Sequence, residues 1–176
     1  MGIETYINLK YGTFAPNLGK NYPHQIFMRQ ILSYRKLLGV DETAELKTLK
    51  SVYRNLMKEW HPDKFNDDHA LKIDAEEKSK KIIEAYHFLV SIASETIAQT
   101  LPEYTETINN SVIEDFEYKS EVLTIRFEDG SEYEYYGVPK GIYVKLVNAD
   151  TPGRFARRHI YSNYLYRSTS KQVASA

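Results

Sequence analysis

Three consecutive residues, His61-Pro62-Asp63, set a titratable ring and a carboxylate on either side of a proline in a chain of 176 residues. Proline cannot continue a helix and pushes the residue before it toward extended dihedrals, so the preceding helix must end about Trp60 and His61 must project outward. Asp63 then sits on an exposed corner, suited to accept charge-assisted hydrogen bonds from a cationic partner group. As a bare tripeptide it is a surface turn with a local polar pair far more often than a site. A second set, Lys47, Lys50, Arg54 and Lys58, recurs at three- and four-residue spacing and so shares one helix face. Such a face is either simply solvated or steers the chain onto an acidic surface. Both sets point to recognition and not to catalysis. The five histidines (His24, His61, His69, His87, His159) never fall at the spacing of helix-borne zinc ligands, and a metal held by His61, Asp63 and His69 is not expected. Without cysteine there are no disulfides, no thiol catalysis and no sulfur-ligated zinc. With no phosphate-binding glycine loop and no G-x-S-x-G, no catalytic residue, metal or cofactor is expected.

The elements that must position these residues are legible in the apolar pattern. Leu46, Leu49, Tyr53, Leu56, Met57 and Trp60 mark the buried face of the helix that leads into the turn. A polar, flexible loop (Phe65 to His69) should follow, then a long helix with Ile82, Tyr86, Leu89 and Ala93 on one face, running to about Ala98. The turn would stand at the tip of two antiparallel helices. Upstream, Gln25 to Leu38 reads as a first helix closed by Gly39, and Asp41 or Thr43 as the cap of the next. This order closely resembles the J domain of the DnaJ co-chaperones, through Tyr34 with Leu37-Leu38-Gly39-Val40, Tyr53-Arg54 and Leu56, His61-Pro62-Asp63-Lys64, and Ala85-Tyr86 with Leu89. The resemblance covers about Ser33 to Val90. It implies that His61, Pro62 and Asp63, with Lys47, Lys50, Arg54 and Lys58 as the basic face, bind a DnaK-type chaperone and stimulate its ATP hydrolysis. Glu59 and Asn55 dilute the basic face, and Ser79 stands where an apolar or aromatic residue is common. The short basic fourth helix, the glycine-phenylalanine linker and the cysteine zinc repeats of full-length DnaJ are missing.

From Asn110 the apolar period changes to two. Val112-Ile113 with Phe116 and Tyr118, then Val122, Ile125 and Phe127, then Tyr133, Tyr135 and Tyr136 read as three strands, with a hairpin turn at Glu128-Asp129-Gly130-Ser131. Val138-Pro139 ends the third, and Lys140 to Ala149 reads as a short helix. This half resembles the KTSC domain over nearly all of Asn110 to Arg167, through Ser111-Val112-Ile113, Leu123 to Phe127 with Gly130, Tyr133-Glu134-Tyr135, Val138-Pro139, Tyr143, Leu146, Ala149, Gly153-Arg154-Phe155, Ile160 and Tyr164. The resemblance implies little function beyond a suggestion of RNA binding.

Charge is unevenly spread here. Residues 103 to 135 hold ten acidic side chains against Lys119 and Arg126, whereas residues 136 to 176 hold seven basic ones against Asp150 alone. Either the basic segment covers the acidic strands, with its arginines paired and the tyrosines in the core, or it faces a polyanion. The first arrangement is the favoured reading. Under the second, Lys145, Arg154, Arg157 and Arg158 would meet RNA phosphates and Tyr133, Tyr135 or Tyr164 would stack on bases.

The expectation is an α+β chain: an extension at 1–24 with one short strand around Ile7 to Tyr11, a J-like helical hairpin domain at 25–98, a linker at 99–109, a small antiparallel β-rich domain with one or two short helices at 110–167, and a disordered tail at 168–176. A formal net charge of −1 gives no bulk attraction to nucleic acid or membrane, and no apolar run is long enough to span a bilayer. The expected protein is cytoplasmic, not an enzyme, and partnered by a DnaK-type ATPase chaperone, with no DNA or membrane contact. The alternative is an RNA- or ribosome-associated protein in which the J-like module is a scaffold or tether.

Overall fold

The structure, a computed structural model, describes residues 24–66 and 68–169. The expected strand near Ile7 to Tyr11, the rest of the 1–24 extension except His24, and residues 170–176 of the expected tail lie outside the described residues. The chain divides into two units at Thr100 and Leu101, a helical one and one containing a sheet, and is α+β as expected. Among the described residues no helix is long and apolar enough to cross a membrane.

In the helical unit, α1 (His24–Leu38) closes on Gly39 with φ +69°. Gly39 donates to the Lys36 carbonyl and Val40 to that of Arg35, the paired bonds by which a glycine terminates a helix. Next comes α2 (Leu46–Trp60), which stops where Pro62 dictates, with His61 extended at φ −65°, ψ 127°. Its start differs from expectation. Asp41 takes the backbone N–H and hydroxyl of Thr43 and caps nothing, Glu45 at the helix boundary caps nothing either, and the Leu46 N–H is satisfied by the Glu95 carboxylate at 3.0 Å. A cap supplied from far along the chain carries no local signal.

The loop after α2 is more ordered than a flexible tract: Pro62–Phe65 forms a 3-10 turn, and Asp68 caps the following helix by accepting from the Ala70 and Leu71 N–H groups. That helix, α3 (His69–Ser91), buries Ala75, Ser79, Ile82, Ala85, Phe88 and Leu89. Ser79 lies buried without penalty because its hydroxyl donates to the Glu76 carbonyl at 3.0 Å. The expected run to Ala98 is broken at Ile92, where ψ is 1° and the Ser91 hydroxyl donates to the Phe88 carbonyl. A new helix, α4 (Ser94–Asn110), follows. It occupies the place of the missing fourth helix but contains no lysine or arginine, and it makes the expected 99–109 linker, within which the two units divide, helical.

The second unit is a four-stranded antiparallel sheet in sequence order: β1 (Ile113–Lys119), β2 (Val122–Phe127), β3 (Glu132–Tyr136) and β4 (Leu165–Ser168). Between the last two strands lie α5 (Lys140–Val147) and α6 (Pro152–His159). The segment after Gly153 therefore supplies a helix and an edge strand that the sequence left unassigned, and Ser168 and Thr169 are ordered, Thr169 donating to the Glu132 carbonyl. Register places Leu123, Tyr135 and Tyr166 side by side, and Ile125 beside Tyr133. Because paired residues share a face, these form one apolar surface, buried with Phe127, Leu146, Ala156, Ile160 and Tyr161. The opposite face is charged, with Arg126 set across from Asp115 and Glu132 and Arg167 across from Glu134. In the Glu128 to Ser131 hairpin only Gly130 takes positive φ (+81°), with Asp129 accepting from the Ser131 N–H. The two positive angles of a tight hairpin fall instead on Ser120 (48°) and Glu121 (66°) between β1 and β2.

Candidate functional site

The proline that ends α2 also places the turn in water: the His61 and Asp63 side chains are 51% and 78% exposed. The Asp63 N–H points at His61 Nδ1 (3.4 Å), so the imidazole caps the 3-10 turn. One Asp63 oxygen lies 3.5 Å from the same Nδ1, and the other accepts no hydrogen bond among the described residues. The backbone is held as well, Lys64 N–H donating to the His61 carbonyl (3.0 Å) and Asn66 Nδ2 to that of Asp63 (2.9 Å). Lys47, Arg54 and Lys58 are exposed along α2, Lys50 is half-buried, and Lys64 extends the positive run into the turn. On the other side of the helix Leu49 is buried and Tyr53 stacks on Tyr86 at 4.1 Å, which fixes the direction in which the basic stripe faces. The sequence reading gave no role to Phe65 and Asn66, which close the turn. Only an aromatic next to a proline-ended helix could have signalled them.

The candidates in the second unit are scattered. Tyr133 and Tyr135 are 3% and 0% exposed and offer no ring to a base. Burial pushes both phenols up, Tyr135 strongly, so they stay protonated and act as hydrogen-bonding core residues. Tyr104 of α4 joins them, its ring stacked on Tyr166 at 3.7 Å and its hydroxyl donating to the Tyr161 carbonyl. Tyr164 is half-buried. Arg157 donates to the Ile108 and Asn109 carbonyls, closing the end of α4. Lys145, Arg154 and Arg158 are exposed, and their side chains make no hydrogen bond or ion pair among the described residues. The basic segment meets the acidic strands through Arg167, 2.7 Å from Glu134, while Arg126 pairs with Glu132 at 3.0 Å within the sheet.

Comparison with known proteins assigns each unit. Residues 33–96 match the model of the DnaJ domain, and residues 109–164 that of the KTSC domain. Among curated proteins, the chaperone protein DnaJ of Thermoplasma volcanium is 48% identical over 56 residues, covering 32% of this chain and 14% of that protein. Those of Fusobacterium nucleatum subsp. nucleatum and Rhizobium rhizogenes are 47% identical over 57 residues and 50% over 56, with the same two coverages. The likeness thus takes in about one seventh of those relatives' length. The chain joins a DnaJ domain to a KTSC domain.

Proposed function

We propose that the chain is a co-chaperone that binds a DnaK-type chaperone through the His61-Pro62-Asp63 turn and stimulates its ATP hydrolysis, while the KTSC domain supplies target or client contacts. The observation that carries this reading is an exposed but internally hydrogen-bonded turn at the end of a basic helix. Lys47, Lys50, Arg54 and Lys58 steer the chain onto an acidic surface, and the turn makes the specific contact, with the open Asp63 oxygen accepting from a partner guanidinium. A turn already held in place loses less ordering entropy on docking. The reaction accelerated belongs to the partner, in a cytoplasmic setting, and this chain contributes binding surface only. Burial of Tyr133 and Tyr135 withdraws two of the three rings named for the RNA-associated alternative and leaves it the half-buried Tyr164, which favours the co-chaperone reading. The test is single-turnover ATP hydrolysis by a bacterial DnaK-type chaperone with and without this chain. Acceleration that saturates with chain concentration is expected, and an unchanged rate at saturating chain contradicts the reading.

A further inference from the structure

The geometry points to a two-part brace, reaching from α3, that fixes the His-Pro-Asp turn: we propose that Phe65, Trp60 and Lys78, with Asn66 and Lys72, are positioning residues for chaperone engagement. This rests on the co-chaperone reading above. Trp60 is the last residue before His61, and Phe65 closes the 3-10 turn; their rings stack at 6.3 Å and 27°, so the two ends of the turn clasp each other. Above the Trp60 ring sits the Lys78 ammonium, 3.2 Å from its centroid and well inside the range in which a cation is attracted by an aromatic face. The second part is polar: Lys72 Nζ donates to Asn66 Oδ1 (3.1 Å) while Asn66 Nδ2 donates to the Asp63 carbonyl (2.9 Å). Both parts start on α3, whose buried residues fasten it to the rest of the helical unit. Ser79, beside Lys78, turns its hydroxyl back to its own helix and offers no ring, and the ring stacked on Trp60 is that of Phe65. Without the clasp, His61 and Asp63 would sample several directions, and docking would have to select one of them.

Phe65→Ala tests this without altering charge, so steering is preserved. In the full chain, the concentration giving half-maximal ATPase stimulation should rise roughly 2- to 10-fold while the maximal stimulation and thermal midpoint hold, because an ordering cost falls on binding. Phe65→Tyr, which keeps the ring, should restore the wild-type value. Trp60 is the only tryptophan in the chain, so its emission reads the stack directly. Phe65→Ala and Lys78→Gln should each shift it to the red and open it to acrylamide quenching, and the double variant should add little to either single one. If emission shifts but the half-maximal concentration does not, the stack exists without positioning the turn and the proposal is overturned. It is overturned equally by unchanged emission in both variants. A wild-type chain that stimulates nothing instead sinks the co-chaperone reading, and the emission result still decides whether the brace exists.

Discussion

The helical unit turns its distinctive polar residues to water and keeps a plain aliphatic and aromatic core, whereas the sheet unit turns its distinctive tyrosines inward and neutralises its outer face strand by strand. In the first, His61, Asp63, Lys47, Arg54 and Lys58 are exposed while Leu49, Ile82, Phe88 and Leu89 are buried. In the second, Tyr133, Tyr135, Tyr161 and Tyr166 are buried, and Arg126 and Arg167 sit against Glu132 and Glu134. A proline-ended helix sends the residues after it outward whatever the rest of the fold does. A period of two says only that alternate residues share a face, and the face that could stack on bases is the same one that could become a core.

Substitutions should separate the two units in order of size. Tyr135→Ala, in the fully buried ring cluster, should cost about 3 to 5 kcal/mol in denaturant unfolding of the sheet unit, whereas His61→Gln should stay within about 0.5 kcal/mol. Comparable losses would erase the contrast between core and surface. Reversing Lys50 and Arg54 to glutamate should slow association with the chaperone roughly tenfold at low salt and much less at high salt, as stopped-flow mixing would record. A rate indifferent to salt would leave the stripe a solvated face.

Glu95→Ala should destabilise the helical unit by about 1 kcal/mol at neutral pH through loss of the cap on α2. The Leu46 N–H holds the Glu95 carboxyl below its usual range, so its contribution is present above the unfolded pKa and lost as pH falls through the lower folded one. Melting curves of the wild type and the variant should therefore converge in acid, and a gap that persists there would assign the effect to something other than the carboxylate. The smallest change expected is a gain. Placing Asn and Gly at Ser120 and Glu121 should stabilise the sheet unit by roughly 0.5 to 1 kcal/mol, since both positions hold positive φ and Glu121 Oε2 is buried without a hydrogen bond. No gain in thermal midpoint would mean that this turn stores no strain.

The ends of α1 and α2 were legible in the sequence because glycine and proline act locally, and so were β1 to β3, whose apolar residues alternate. What escaped was set by tertiary partners. The cap of α2 comes from Glu95 on α4, and no pattern near Leu46 announces it. Residues 99–109, polar and interrupted by Pro102, read as a boundary, yet Tyr104 and Thr107 there are buried, Thr107 donating to Asp129. The fourth strand is four residues long and continues a basic, aromatic stretch with no alternation of its own. At the turn, the residue types were plain but their support was not, since Lys78 reaches Trp60 across a gap of eighteen positions.

The central claim is that the exposed turn of the helical unit does the work of a co-chaperone, and the most direct measurement is single-turnover ATP hydrolysis by a DnaK-type chaperone with wild-type chain and with Asp63→Asn. The account predicts that the wild type accelerates hydrolysis and that the variant does not, with unfolding free energies matching to within the roughly 0.5 kcal/mol usual for surface changes. Full stimulation by Asp63→Asn would contradict it.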